Sequence, residues 1–293
     1  MKPAPQGEAI ARVTRDLIAT SSLEINADRS GEARDVAALV PAGTAVYVNH
    51  LPRYTTEQMV AALVGAREAG LEPVPHLAAR RIASRRDAQM FLTDAVRNAG
   101  IRRILLIGGD ELNPRGPYPD AASLLCEGSI ADSGVREVGF ATYPEGHPRI
   151  PRAGLERALD EKLALANAQG LSSYLVTQFS FAPARVIEHL SELNRWRASV
   201  PVYVGIAGPT EPLALLRYAQ RCGVSNSLRA LRAQGFGAAR LVMHTDPAEQ
   251  IAAVARYSRS HAAACNVVGV HLFSFGGVVK TAEWINSVLI SAQ

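Results

Sequence analysis

Four short stretches of this chain have the make-up of a small-molecule site. Glu24 lies inside the apolar run Ser22-Leu23-Glu24-Ile25-Asn26, where a carboxylate is costly to bury without a partner. An inward or rim position there raises its pKa toward the range of a general acid. A rim carboxylate paired with an arginine is the competing reading. Gly108-Gly109-Asp110 closes another apolar run, and its glycines let the backbone come close to a ligand that Asp110 would face. A helix N-cap is the other use for Asp110. The stretch Asn113-Pro114-Arg115-Gly116-Pro117-Tyr118-Pro119 speaks against it, because no helix can begin at once.

Tyr143-Pro144-Glu145-Gly146-His147-Pro148 gathers an aromatic ring, a carboxylate and an imidazole in one proline-stiffened loop, suited to clamping a planar cofactor. A solvated loop histidine is the plainer reading of His147. Thr177-Gln178-Phe179-Ser180-Phe181 ends a further run with a side-chain amide that, once buried, needs a ligand or a network to bond it. A pyrimidine-like ring with adjacent donors and acceptors is its natural partner. His76 and Arg80 close the third run, and His271 lies inside the last, where a satisfied core histidine competes with a catalytic one.

Other chemistries are disfavoured. The chain has no P-loop, no HExxH pair, no GxSxG elbow and no ligand-spaced His/Asp cluster, which argues against hydrolysis by a metal or an activated serine. Cys126, Cys222 and Cys265 are far apart and suggest neither a disulfide framework nor a zinc site, so a cytoplasmic setting is expected. Met1 to Gly7 is polar with no apolar stretch behind it, and no run approaches a membrane span. The net charge is +4, and the cluster Arg80, Arg81, Arg85 and Arg86 reads as a solvated face rather than a nucleic-acid patch. A mild positive excess suits an anionic small ligand.

The elements that must carry these residues alternate from end to end. Eight β-type runs span Ser22–Asn26, Ala45–Asn49, Pro73–Ala78, Arg103–Ile107, Glu137–Tyr143, Ser173–Phe179, Val200–Ile206 and Val267–Phe275. Amphipathic helices fall between them, among them Thr56–Ala69, Ser84–Ala99, Leu155–Ala168, Pro183–Arg197 and Pro247–Ala263, and Gly70, Gly100 and Gly170 sit where C-caps are needed. The connection Gly208 to Thr245 holds two more helical segments. Eight βα units of about 37 residues predict one (β/α)8 TIM barrel over residues 1–293. A doubly wound sheet would prefer a GxGxxG turn after the first strand, which is absent. The long segments Gly109–Pro119 and Tyr143–Pro151 both leave the C-terminal ends of strands, where barrels place their chemistry.

Together these residues resemble the methylenetetrahydrofolate reductase family, barrel enzymes that reduce 5,10-methylenetetrahydrofolate to 5-methyltetrahydrofolate with NADH or NADPH. The resemblance covers Ser21 to Ser274. Its most specific pieces are Tyr143 to Pro148, which looks like the family's YPExHP loop, and Val176-Thr177-Gln178-Phe179, similar to its ITQ-aromatic strand end. Gly109-Asp110 and Glu24 match its Gly-Asp and strand-one Glu. The resemblance implies that Glu24 is the general acid opening the folate ring to an iminium cation, and that Asp110 lies near pterin and cofactor and favours that cation. It further implies that Gln178, with Phe181 beside it, holds the pterin. Asn49, His76, Gly109, Tyr143 and His147 would then contact FAD, and Lys162 its phosphates. The sequence leaves a homo-oligomer open.

Three departures bear on FAD. The family's basic pair is replaced by Leu159-Asp160-Glu161-Lys162-Leu163, whose carboxylates would repel a diphosphate. Gly276-Gly277 stands for Asn-Arg after the last strand, and Ile25-Asn26-Ala27-Asp28 for a Phe-Phe-Pro-Pro tail. The alternatives are a flavin-independent reductase in which NAD(P)H delivers hydride directly to the folate, a non-catalytic folate-binding barrel, and a methyltetrahydrofolate-dependent methyltransferase.

Overall fold

The structure is a computed structural model that describes residues 6–29, 31–210, 247–262 and 265–291, together with Leu215, Arg217, Tyr218 and Val224. Most of the connection Gly208–Thr245 therefore lies outside the described residues. Eight strands form a closed parallel barrel in chain order: β1 Ser22–Ile25, β2 Ala45–Val48, β3 Glu72–Ala78, β4 Arg103–Ile107, β5 Glu137–Thr142, β6 Ser172–Thr177, β7 Val202–Ala207 and β8 Val267–Phe273. This is the (β/α)8 TIM barrel that the alternation predicts. The surrounding helices are α1 Gln6–Ala19, α2 Glu32–Ala37, α3 Thr56–Glu68, α4 Arg85–Ala99, α5 Ala121–Cys126, α6 Ser129–Asp132, α7 Arg152–Ala168, α8 Pro183–Trp196, α9 Ala248–Ser260 and α10 Val278–Ser291. Helix α1 precedes the first strand, and its Ile10, Val13, Leu17 and Ile18 recur at helical spacing and pack into the main core.

Local chemistry sets the ends of these elements. Thr55 and Gln58 form a reciprocal capping box at the start of α3, Ser84 accepts from the Asp87 amide at α4, and Asp120 with Ser123 caps α5. Asp120, not Asp110, is thus the N-cap after β4. Gly100 ends α4 with φ of 60°, a left-handed conformation that a side chain would disfavour.

Strand residues alternate between two environments. Leu23, Val46, Ile104, Val138, Leu175, Val204 and Val270 face outward into the main core beneath the helices. Tyr47, Val74, Leu105, Tyr174 and Val176 fill the barrel interior. The Tyr174 hydroxyl donates to the Ile104 carbonyl at 2.9 Å, and Tyr47 meets it at 3.3 Å. Gly139 makes room for the Tyr174 ring, since a Cβ there would lie 2.3 Å from it. Arg103, paired with Glu137 at 2.7 Å, stands over that ring at 5.0 Å. The interior below the mouth is thus packed, which confines a ligand to the C-terminal ends of the strands.

Candidate active site

A cavity of about 2180 Å³ opens at those ends, and Glu24, Asn49, His76, Gly109, Asp110, Tyr143, His147, Lys162, Gln178 and His271 all line it. At its floor, Glu24 of β1 points inward because Leu23 and Ile25 take the outward positions. Its Oε1 is 3.5 Å from His271 Nε2 and 4.0 Å from His76 Nε2, and Asn49 Nδ2 stands 3.5 Å from its Oε2. Among the described residues, no arginine is paired with it. Burial raises the pKa of this carboxyl, but the interaction with His271, the nearby His76 and His271 imidazoles and Asn49 outweigh burial and hold it below its ordinary value. The expected upward shift is therefore corrected: partners, rather than desolvation, decide the sign.

His76 is buried, and its pKa falls to about 4 through burial first, opposed by Glu24. His271 has no solvent exposure and contacts the Ser22 hydroxyl through Nδ1 at 2.8 Å. Its Nε2, like that of His76, has no hydrogen-bond partner. The core-histidine reading is thus met on one nitrogen and not on the other. The signal for this partner was Ser22 and Glu24 two apart on one strand, which puts both on the barrel's inner face. His50 was not foreseen: its Nδ1 accepts from the Ala78 amide at 3.2 Å, and burial, with Arg81 and His76, takes its pKa to about 4.

On the opposite rim, Asp110 leaves β4 with its side chain 92% exposed and 3.8 Å from Arg81. Arg81, only 6% exposed, also pairs with Glu111, and Arg80 donates to the Pro119 and Glu111 carbonyls. Half of the arginine cluster is therefore structural at the mouth, while Arg85 alone of the ion-paired members stays largely in solvent, 78% exposed. Gly109, with φ of 96°, brings β4 against Ala78 and Arg80, and a Cβ would lie 3.0 Å from Glu111. Tyr143 and His147 meet edge to face at 5.3 Å, and His147 accepts from the Arg149 amide. Burial lowers the His147 pKa, aided by Arg149 and opposed by Asp110, so Asp110 and the loop act on one volume.

Gln178 follows β6, half-buried, and its Oε1 accepts from the Phe179 amide at 3.1 Å. Among the described residues, its amide nitrogen has no hydrogen-bond partner, and the residue lines the cavity. Phe181 is placed elsewhere, buried against Phe179 and Ala207, and it does not line the cavity. Lys162 sits on α7 with its ammonium 5.1 Å from the Phe140 ring, and burial lowers its pKa to about 8. Asp160 is engaged by Arg197, and Arg152 bridges Glu156 and Glu192. Asp160 is thus not opposed by Lys162 alone, a correction to the charge count, whereas Glu161 acts on Lys162 itself. Arg80, Arg152 and Arg197 are committed to carbonyls or carboxylates and Lys162 lies against the barrel wall, while Arg149 and Arg195 also line the cavity.

No family model matches the chain. Among solved structures it is similar to dihydropteroate synthase from Xanthomonas albilineans, with 14% identity over 92% of this chain and 91% of that one and a TM-score of 0.49. Dihydropteroate synthase from Thermus thermophilus follows at 13% identity, 89% and 91% coverage and a TM-score of 0.44. For 3-dehydroquinate dehydratase from Geobacillus kaustophilus the figures are 12%, 63% and 72%, and 0.40. Likeness at this level carries no argument about chemistry. The barrel rests on the chain's own strand order.

Proposed function

We propose that this chain reduces 5,10-methylenetetrahydrofolate to 5-methyltetrahydrofolate, with NAD(P)H giving its hydride directly to the folate. The observation that carries the reading is Glu24: a carboxylate on the cavity floor, faced by two imidazoles and an amide and, among the described residues, paired with no lysine or arginine. Such a group can hand a proton to a ring nitrogen of a bound ligand. In the reaction, protonation at N10 breaks its bond to the bridging carbon, the iminium forms at N5, and hydride transfer to that carbon completes the methyl group. One proton and one hydride enter, and the oxidised nicotinamide leaves. Asp110 across the mouth offers a negative charge to the cation, and the Gln178 amide offers a donor to the pterin edge.

Direct transfer is favoured by α7, where the carboxylates Asp160 and Glu161 line the cavity beside a Lys162 that is buried against Phe140. A co-substrate that must leave at every turnover tolerates weak phosphate contacts, whereas a resident flavin does not. When bound, FAD would supply a hydride relay between nicotinamide and folate. The purified protein is expected to show no flavin absorbance and to oxidise NAD(P)H only when methylenetetrahydrofolate is present, with no gain on adding FAD. Stoichiometric flavin surviving dialysis would overturn direct transfer, and absence of any folate-dependent oxidation would overturn the reductase.

A further inference from the structure

We infer, on the reading of Glu24 as the acid that protonates folate N10, that Phe275 in the strained turn after β8 is the face on which the aminobenzoyl ring of the folate stacks. Among the described residues, Phe275 is the single non-glycine residue with a positive φ, 48°. Gly276 follows at 81°, and the Gly277 amide closes the turn on the Ser274 carbonyl at 2.8 Å. Two central residues with positive φ make a tight turn of the I′ kind, in which asparagine, aspartate or glycine is at ease and a bulky side chain is strained. A glycine at 275 would remove that strain. The chain keeps an aromatic ring there instead, and strain of this kind clusters where the placement of a side chain matters to a ligand.

Phe273, Phe275 and Tyr218 line the cavity together. Their rings form a near-parallel row: Phe275 lies 4.7 Å from Tyr218 at 29° and 6.2 Å from Phe273 at 18°. Phe179, only 1% exposed, backs both phenylalanines, at 5.4 Å from Phe273 and 5.2 Å from Phe275. Gly205 makes room for the row, since a Cβ there would lie 2.7 Å from the Phe273 ring. Arg29 donates to the Gly276 carbonyl at 3.2 Å and so ties the turn to the loop after β1. A ring held at this cost for packing alone would be buried, yet Phe273 and Phe275 are both only partly covered and leave an aromatic surface open to the cavity.

The row starts at the reacting end of the cavity. Phe273 meets His271 edge to face at 4.9 Å, and His271 Nε2 is 3.5 Å from Glu24 Oε1. Folate N10 carries the aminobenzoyl ring directly. With N10 at Glu24 and the pterin edge at Gln178, that ring leaves the floor on the β8 side and extends the row of Phe273 and Phe275. A benzoyl ring placed against phenylalanine gains both apolar burial and ring-to-ring contact. The rim at β4 presents Asp110, Arg81 and Glu111, which offer no such surface, and the aromatic pair Tyr143 and His147 leaves β5, three strands from β8.

The test uses Phe275→Gly and Phe275→Asn in the full chain, which suit the turn and lack the ring, with Phe275→Tyr as the conservative control. Both turn-compatible variants are expected to unfold in urea at the wild-type midpoint or above it. They should raise the KM for methylenetetrahydrofolate about 10- to 100-fold, with the KM for NAD(P)H within about twofold of wild type. Phe275→Tyr should hold the folate KM within about threefold. 4-Aminobenzoylglutamate, which has the ring and no pterin, should compete with folate in the wild type and about 10-fold more weakly in the two variants. An unchanged folate KM, or a urea midpoint that falls in both variants, would overturn the inference and leave the reductase reading in place. A loss confined to the KM for NAD(P)H would assign Phe275 to the nicotinamide co-substrate and equally overturn it. A wild type that neither binds nor reduces folate would overturn the reductase reading and this inference together.

Discussion

At the scale of the residue, the site turns on what surrounds Glu24 rather than on Glu24 itself. A carboxylate in an apolar strand reads in the sequence as a group destabilised by burial. The barrel instead brings two imidazoles and an amide to it from β3, β8 and the end of β2, and the sign of its pKa shift reverses. Glu24→Gln keeps the shape and the donor-acceptor capacity toward Asn49 but cannot protonate a ligand. Steady-state assays should show a loss of about 10² to 10⁴ in turnover, with folate binding by calorimetry near wild type. Near-normal turnover would remove Glu24 from the chemistry. Gln178 was legible because an amide at a strand end needs a partner. Phe181 was misjudged because only three dimensions decide which side of a loop faces the cavity.

At the scale of the element, β6 and β7 show how the backbone itself opens the mouth. The regular ladder between them covers Leu175 and Val176, and beyond it the Thr177 hydroxyl accepts the Gly205 amide at 2.8 Å. A Cβ on Gly205 would lie 1.8 Å from the Thr177 carbonyl oxygen, a backbone atom that cannot yield. Gly205→Ala is therefore expected to cost about 3 kcal/mol, at the upper end for overpacking, measured by urea unfolding. A loss under about 0.5 kcal/mol would mean that the strands part easily at this point. The same close approach fixes where Gln178 emerges, so the substitution should also weaken folate binding. Strand positions and most helices were legible because period-two and helical patterns are local. The side-chain bridge at Thr177 was not, because nothing in the local pattern distinguishes it from a ladder bond.

At the scale of the whole molecule, desolvation first of all takes the pKa of buried His76 and of half-buried His50 and His189 down to about 4. Unfolded histidines take up protons near pH 6.5, so between that value and about 4 the unfolded state binds protons that the native state refuses. Stability should therefore fall as pH drops through this window, and Glu24, held low in the native state, adds to the loss only at the acid end. His189 lies on α8 away from the barrel floor, and its Nε2 has no partner. His189→Leu should reduce the loss at pH 5 by roughly 1 to 2 kcal/mol, read as a flatter Tm against pH. An unchanged curve would place the acid sensitivity elsewhere. Among the described residues, no helix is long and apolar enough to cross a membrane. What the sequence alone determined was the barrel and the addresses of its rim: eight alternating units leave one closed arrangement, and residues at strand ends must line its mouth. Only the tertiary structure decided the partners. Ser22 meets His271 and Arg81 meets Asp110 because a closed sheet sets its first strand beside its last and β3 beside β4, contacts that depend on closure and register and leave no trace in local periodicity.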